Sequence, residues 1–209
     1  MILFIDQILK IYIKTHFELG SGFSIFPFFW ILFIENPGMA YGIHLAPGYF
    51  GKILLSVFRF IFVLFLFFFI YKNVKNKSSN YLMVPVVFIL SGAIGNLLDS
   101  IFYGLLFDTG TVYNREDHKW IAYSGISKIR SWKSFVSGVG GYASFMEGCV
   151  VDMFYFPIID FYIPYCIPLF GGYNFKFFRP VFNLSDFVIF IGFILLLIFK
   201  KKIKHVKIL

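Results

Sequence analysis

Four apolar runs divide the chain, and charged or polar residues separate each run from the next. The runs at about residues 53–71, 81–102 and 181–199 come close to the roughly 20 residues that a helix needs to cross about 30 Å of hydrocarbon. The run at about residues 1–17 is shorter and carries charged residues. The pattern predicts a membrane α-helical protein with four transmembrane helices in a single polytopic domain, residues 1–209.

Lysines mark one side of the predicted membrane. Lys72, Lys75 and Lys77 lie between the second and third runs, and the fourth run is followed by several lysines and no acidic residue. Because loops rich in Lys and Arg stay in the cytoplasm, both segments and both chain termini are predicted to be cytoplasmic. Residues 18–52 and 103–180 are then left on the outer side.

The two outer segments differ in their patterns. Residues 18–52 alternate aromatic and β-branched residues and are broken by Gly and Pro, which is typical of short strands joined by turns. The second segment begins polar, passes through a Gly-rich run and ends in an aromatic stretch that contains several prolines. Neither segment is predicted to form a large independent domain.

Composition agrees with a membrane protein and excludes several other classes. Hydrophobic residues make up 59% of the 209 residues and charged residues only 14%. The formal net charge of +8 lies mostly at the edges of the apolar runs, so nucleic-acid binding is not predicted. Cys149 and Cys166 show no metal-binding spacing, and we expect no metal site and no cofactor. A single disulfide could join these two cysteines in an oxidising compartment.

Carboxylates and amides at the predicted outer ends of two spans are the candidate functional residues. Asn96 and Asp99 are three residues apart, as are Asn183 and Asp186, which predicts one shared helical face for each pair. Asp152 follows an apolar stretch, residues 148–151, where the chain could return to the bilayer.

Carboxyl groups that share a site of low dielectric constant hold a proton between them, and such a pair can activate water. The alternative is that these residues are solvated, cap helices or join helices by hydrogen bonds. Asp6 and Lys10, four residues apart on the first helix, are predicted to form a structural ion pair.

At these residues the sequence resembles the lipoprotein signal peptidase (signal peptidase II) family. Four blocks occur in the family's order, and they lie at residues 6–10, at 35–42, at 95–99 followed by 148–152, and at 182–186. The resemblance implies four transmembrane helices, a small extracytoplasmic β-cradle at about residues 18–52, and an aspartyl endopeptidase in the bacterial cytoplasmic (inner) membrane with its active site at the outer face.

The resemblance also implies the roles of individual residues. The catalytic aspartates would be Asp152 and Asp186. The residues expected to bind substrate or to support the site are Asn36, Gly38, Asn96, Asp99 and Asn183. The substrate would be a diacylglyceryl-modified prolipoprotein, cut on the amino side of the lipidated cysteine, and the expected partners are this substrate and membrane lipid, with the protein acting as a monomer.

This chain departs from the family's pattern at three points, and one of them is that the family's first helix has more residues before the Asp6-Gln7 pair. The family has Arg after the Asn-x-x-Asp block, where this chain has Ser100, and Arg179 is a candidate replacement. An insertion at about residues 103–147, most clearly 107–146, separates two motifs that normally lie close together. It is expected to form a lid, a partner surface or a loose loop.

Two other interpretations stay open. A catalytically inactive membrane scaffold or lipoprotein-binding relative would have the same apolar pattern, and Ser100 and the insertion favour it. Small-ion transport is less compatible, because the polar residues gather at one face and form no path across the membrane. Glu35 is expected to order the turn at Gly38 and not to take part in the chemistry.

Overall fold

The computed structural model describes residues 1–38, 44–138, 140–157, 159–162, 165, 172, 174–177 and 180–203. The helices in these residues are α1 (Ile2–His16), α2 (Gly48–Lys75), α3 (Asn80–Leu106), α4 (Trp132–Ser137), α5 (Leu184–Ile198) and α6 (Lys200–Ile203). The strands are β1 (Gly22–Phe26), β2 (Phe29–Asn36), β3 (Val112–Asn114), β4 (Lys119–Ile121), β5 (Val150–Tyr155), β6 (Ile159–Tyr162), β7 (Asn174–Phe177) and β8 (Val181–Phe182).

Within the described residues, two helices are long and apolar enough to cross a membrane. These are α2, with 28 residues, and α3, with 27, and they correspond to the predicted spans 53–71 and 81–102. Helix α5 is apolar but has only 15 residues, and α1 has the same length. The prediction of four transmembrane helices therefore stays a prediction for α1 and α5.

Helix α1 has one charged face and one apolar face. Asp6, Lys10 and Lys14 repeat every fourth residue and are fully buried, whereas Phe4 and Ile8 on the other side are exposed. The charged residues that interrupt the first apolar run thus point into the protein, and the exposed side of the helix is apolar.

Small residues allow α3 and α5 to approach each other closely. A Cβ atom added to Gly92 would lie 2.3 Å from the carbonyl oxygen of Ser185, and one added to Gly95 would lie 2.0 Å from the Ser185 hydroxyl. On α5, a Cβ at Gly192 would lie 2.8 Å from the carbonyl oxygen of Pro85. Close contact through small residues is the usual means by which helices pack in membranes.

A four-stranded antiparallel sheet joins residues from distant parts of the chain, in the order β1-β2-β5-β8. The register of its central pair places Ile34 opposite Asp152 and Asn36 opposite Val150. The predicted outer strand segment, residues 18–52, is too long at its end, because α2 begins at Gly48, directly after Pro47. Gly51 and Lys52, which precede the apolar run in the sequence, are therefore part of the helix.

The described part of the insertion folds against the end of α3. The Arg130 amide donates to the Leu106 carbonyl at 2.9 Å, and the Tyr142 amide donates to the Phe107 carbonyl at 3.3 Å. Phe107 is fully buried. Strands β3 and β4 form an antiparallel hairpin, and α4 follows them. Of the alternatives expected for the insertion, a loose loop is wrong for these residues, because backbone hydrogen bonds attach them to α3.

Candidate active site

Asp152 lies in strand β5 and is almost completely buried. It pairs with Ile34 of β2, and its neighbours on the strand, Val151 and Met153, are also buried. Val150 and Val151 of the apolar stretch at residues 148–151 are therefore strand residues. The stretch leads into the sheet, because β2 supplies a strand with which Val150 to Tyr155 can pair.

Asp186 lies in the first turn of α5, where it forms a capping box with Asn183. The Asn183 side chain accepts a hydrogen bond from the Asp186 amide at 2.9 Å, and Asp186 Oδ2 accepts from the Asn183 amide at 3.3 Å. The prediction that the two residues share a helical face is wrong, since Asn183 is the N-cap and has extended backbone angles (φ −118°, ψ 177°). The cap fixes both side chains relative to each other.

Two asparagine side chains connect the two carboxylates. Asn183 Nδ2 donates to Asp152 Oδ1 at 2.7 Å and to Asn96 Oδ1 at 3.1 Å. Asn96 Nδ2 in turn donates to Asp186 Oδ1 at 2.7 Å. The structure thus brings together four predicted site residues that come from α3, β5 and the start of α5.

The surroundings of Asp152 favour a protonated carboxyl group. Burial first, and the charge of Asp186 second, raise the pKa of Asp152 to about 8. Hydrogen bonds from Asn36 and Asn183 act in the opposite direction. A cleft of about 280 Å³ opens beside this carboxyl group between Pro37 and Pro180. A pair of carboxyl groups that holds one proton has both an acid and a base available for chemistry on water.

A buried set of charges holds Asn96 in place. Lys10 Nζ lies 3.0 Å from Asp6 Oδ2, 2.8 Å from Asp99 Oδ2 and 3.0 Å from Asn96 Oδ1. Asp6 also accepts a hydrogen bond from the Ser185 amide at 2.9 Å, so it fixes the start of α5. Asp99 is thus linked to Asn96 through Lys10, and its Oδ2 also accepts a hydrogen bond at 3.4 Å from the amide of Val151, the residue before Asp152.

Asn36 and Glu35 are neighbours in β2 but make different contacts. Asn36 Nδ2 lies 3.3 Å from Asp152 Oδ2, and its side-chain oxygen accepts a hydrogen bond from the Gly38 amide at 2.9 Å. The turn at Gly38 is thus ordered by Asn36. Glu35 is buried, pairs with Lys14 and accepts from the Thr111 amide at 2.6 Å. The expectation that Glu35 orders this turn was wrong, because alternate residues of β2 face opposite sides of the sheet. Residues 39–42 of this motif lie outside the described residues.

The sequence interpretation missed Arg59. From α2 this arginine donates to Ser100 Oγ at 2.7 Å and to the Gly38 carbonyl at 3.3 Å. Its guanidinium group therefore contacts Ser100, the residue that stands where the family pattern has Arg. A single Arg inside the run 53–71 was a usable signal, because a charge in an apolar span needs a partner. Arg179, the candidate named for this role, lies outside the described residues.

Cys149 is buried beside the insertion. Its sulfur lies 3.6 Å from the Thr111 carbonyl oxygen, and burial raises the pKa of its thiol to about 12. Cys166 lies outside the described residues, so a disulfide between the two stays a prediction. In the part of the chain that the structure describes, no group of three or more His, Cys, Asp or Glu side chains could hold a metal ion.

Comparison with known proteins gives a consistent result. The family model for signal peptidase (SPase) II matches residues 1–201. The lipoprotein signal peptidase of Porphyromonas gingivalis is 40% identical over 199 residues, which cover 95% of this chain and 78% of that protein. The lipoprotein signal peptidase of Amoebophilus asiaticus is 29% identical over 201 residues, which cover 94% and 73%.

Solved structures support the fold. A bacterial membrane enzyme determined by the in meso method at 2.3 Å resolution has a TM-score of 0.53 and 20% identity, and the match covers 99% of this chain and 86% of that one. A second bacterial membrane enzyme, determined at 1.9 Å, has a TM-score of 0.50 and 24% identity, with coverage of 94% and 85%. At these identities the likeness concerns the fold alone.

Proposed function

The chain belongs to the signal peptidase II family of aspartyl proteases, whose members remove signal peptides from prolipoproteins, and we propose that it does so with Asp152 and Asp186 as the catalytic pair. The observation that carries this proposal is the hydrogen-bonded chain from Asp152 through Asn183 and Asn96 to Asp186. It joins the two carboxyl groups, and Asp152 lines an open cleft in surroundings that raise the pKa of its carboxyl group.

In the proposed reaction the ionised aspartate removes a proton from water, and the resulting hydroxide attacks the carbonyl carbon of the scissile peptide bond. The protonated aspartate donates a hydrogen bond to the carbonyl oxygen as negative charge develops there. Collapse of the tetrahedral intermediate breaks the C–N bond, and the departing amine takes up a proton from the pair. The products are a new carboxylate and the free amine of the lipidated cysteine.

The supporting residues have separate roles in this proposal. Asn96 and Asn183 orient the two carboxylates, and Asn36 holds the second oxygen of Asp152 and the turn at Gly38. Lys10, between Asp6 and Asp99, fixes Asn96. We assign Gly38 and Asn36 to the substrate-binding side, because Asn36 lines the cleft.

We further propose that α1 and α5 cross the membrane together with α2 and α3, as one polytopic domain that acts as a monomer. The exposed face of α1 is apolar, and its charges are buried. The lysines after α2 and at the end of α5 then lie in the cytoplasm with both termini, and the sheet forms an extracytoplasmic β-cradle. This orientation places the aspartates at the outer face of a bacterial inner membrane.

The substrate proposal is tested with purified protein in detergent and a prolipoprotein prepared with and without its diacylglyceryl group. We expect release of the signal peptide from the modified precursor only, with mass spectrometry locating the new amino terminus at the lipidated cysteine. Equal cleavage of the unmodified precursor would contradict the lipid requirement. Failure on both, with a substrate that a related signal peptidase cleaves, would favour the inactive scaffold.

A further inference from the structure

The insertion carries a patch of exposed apolar side chains that the peptidase reaction does not use. Trp132 is 75% exposed, Val136 65% and Phe145 54%. Ile129, just before α4, is also exposed. A cluster of this kind on the surface of a protein marks an interaction site. We name these four residues the insertion patch.

The insertion patch is continuous with the side of α3 that faces away from the protein. Phe102 of α3 is partly exposed, and its ring centroid lies 6.3 Å from that of Phe135 and 6.5 Å from that of Phe145. The Phe135 ring in turn stacks on Trp132 at 5.6 Å. Since α3 is long and apolar enough to cross a membrane, its exposed aromatic residues face lipid, and the patch extends this surface beyond the helix end.

The charges around the insertion patch also suit a membrane surface. Lys128 and Lys133 are exposed beside it. The sequence from His118 to Met146 contains no Asp or Glu, and two carboxylates outside it accept hydrogen bonds from its backbone amides, Asp108 from Lys128 at 2.8 Å and Glu147 from Ser144 at 2.9 Å. Anionic lipid headgroups attract such lysines, and Trp is enriched where hydrocarbon meets water.

We propose that α4 and the insertion patch lie in the interface of the bilayer, with Trp132 at the level of the lipid headgroups, and anchor the insertion to the membrane. The occupant of the patch is phospholipid, because the patch continues a lipid-facing helix and carries an exposed Trp beside two exposed lysines. The segment that follows α4 leads through Gly148 to β5, so an anchored α4 restricts the depth at which Asp152 is held. This proposal depends on the membrane position of α3 and not on catalysis.

The test uses the three tryptophans of the chain, Trp30, Trp120 and Trp132. A Trp30→Phe/Trp120→Phe variant retains Trp132 alone and is reconstituted in vesicles of phosphatidylcholine and phosphatidylglycerol. Some vesicles contain lipids brominated near the headgroup end of the acyl chain, and others contain lipids brominated near its methyl end. A matched variant that retains Trp120 alone reports on β4, where the indole packs against Tyr49 and Tyr113, and its quenching sets the background.

We expect Trp132 fluorescence to be quenched most by bromines near the headgroup end and to be protected from acrylamide in the water. Strong acrylamide quenching without lipid quenching would overturn the proposal. Protection from both quenchers would also overturn it, because a second copy or another protein would then cover the patch. If the double variant does not fold, the difference between wild type and Trp132→Phe gives the same readout with one exposed residue changed.

Discussion

Replacing Asp152 by Asn should stabilise the folded protein at neutral pH, although it removes a carboxylate that we propose to be catalytic. The pKa of Asp152 is about 8 in the folded protein and about 3.9 in an unfolded chain. At about 1.4 kcal/mol per pKa unit, the need to protonate or bury this carboxylate opposes folding by roughly 4 kcal/mol at pH 7. An asparagine side chain at position 152 would have one acceptor oxygen instead of two for the hydrogen bonds that Asn36 and Asn183 donate, which lowers the free energy of unfolding by about 1 kcal/mol. The expected net gain is about 3 kcal/mol.

The sign of the pH dependence follows from the raised pKa. The folded state holds the Asp152 proton more tightly than the unfolded state does. The stability that this group contributes is therefore fully present below about pH 4, and it is lost as the pH rises through the folded pKa near 8. An asparagine side chain at this position does not titrate. The difference in stability between variant and wild type should therefore widen by about 1.4 kcal/mol per pH unit between about pH 5 and 7.

The assay is unfolding of both proteins by a denaturing detergent in mixed micelles, followed by circular dichroism at pH 5, 6 and 7. The control is Asp117→Asn, at an exposed carboxylate in the insertion. We expect the unfolding midpoint of the control to follow that of wild type at each pH. A stability difference for Asp152→Asn that does not change with pH would refute the reasoning, as would a variant less stable than wild type at pH 7.

Three further substitutions test the surroundings of the site. Lys10→Met should lower the free energy of unfolding by about 3–5 kcal/mol, because it leaves two buried carboxylates without their cation. The control Lys75→Met, at an exposed lysine near the end of α2, should leave the unfolding midpoint unchanged. Equal midpoints for the two variants would contradict this prediction. Arg59→Leu should lower kcat/KM for cleavage roughly 10-fold or more, since hydrogen bonds from a charged donor are worth about 1.5–3 kcal/mol. Adding Ser100→Arg to this variant should restore part of the lost kcat/KM. Full activity of the single variant would show that the guanidinium group is not needed. Gly148→Ala should lower the free energy of unfolding by about 1–3 kcal/mol, because its Cβ would lie 2.3 Å from the Asp99 carbonyl oxygen on α3. An unchanged unfolding midpoint would contradict this, because the backbone would then have moved to accommodate the Cβ without cost.

Local patterns in the sequence were enough to predict the main helices and the candidate residues. The apolar runs 53–71 and 81–102 lie inside α2 and α3, because the length of an apolar run is a property of neighbouring residues. The structure extends both helices beyond these runs. Lysines and tyrosines at the helix ends are compatible with a helix but did not mark its limits.

Contacts between distant segments could not be predicted in the same way. Strand β5 becomes the partner of β2 across the insertion, and this places Asp152 in a sheet. Arg59 meets Ser100 only because α2 packs against α3. Neither contact can be inferred from the spacing of residues along the chain. The N-cap role of Asn183 could have been predicted from the sequence. An Asn that is followed three residues later by Asp, at the start of an apolar run, is typical of a helix cap.

The most direct test of the proposed catalytic pair is the single-turnover rate of cleavage of a diacylglyceryl-modified prolipoprotein. Wild type, Asp152→Asn, Asp186→Asn and the control Asp117→Asn are compared at equal amounts of folded protein. We predict that both active-site variants lose cleavage while the control retains the wild-type rate. Substantial cleavage by either active-site variant would contradict the assignment of Asp152 and Asp186 as the pair that activates water.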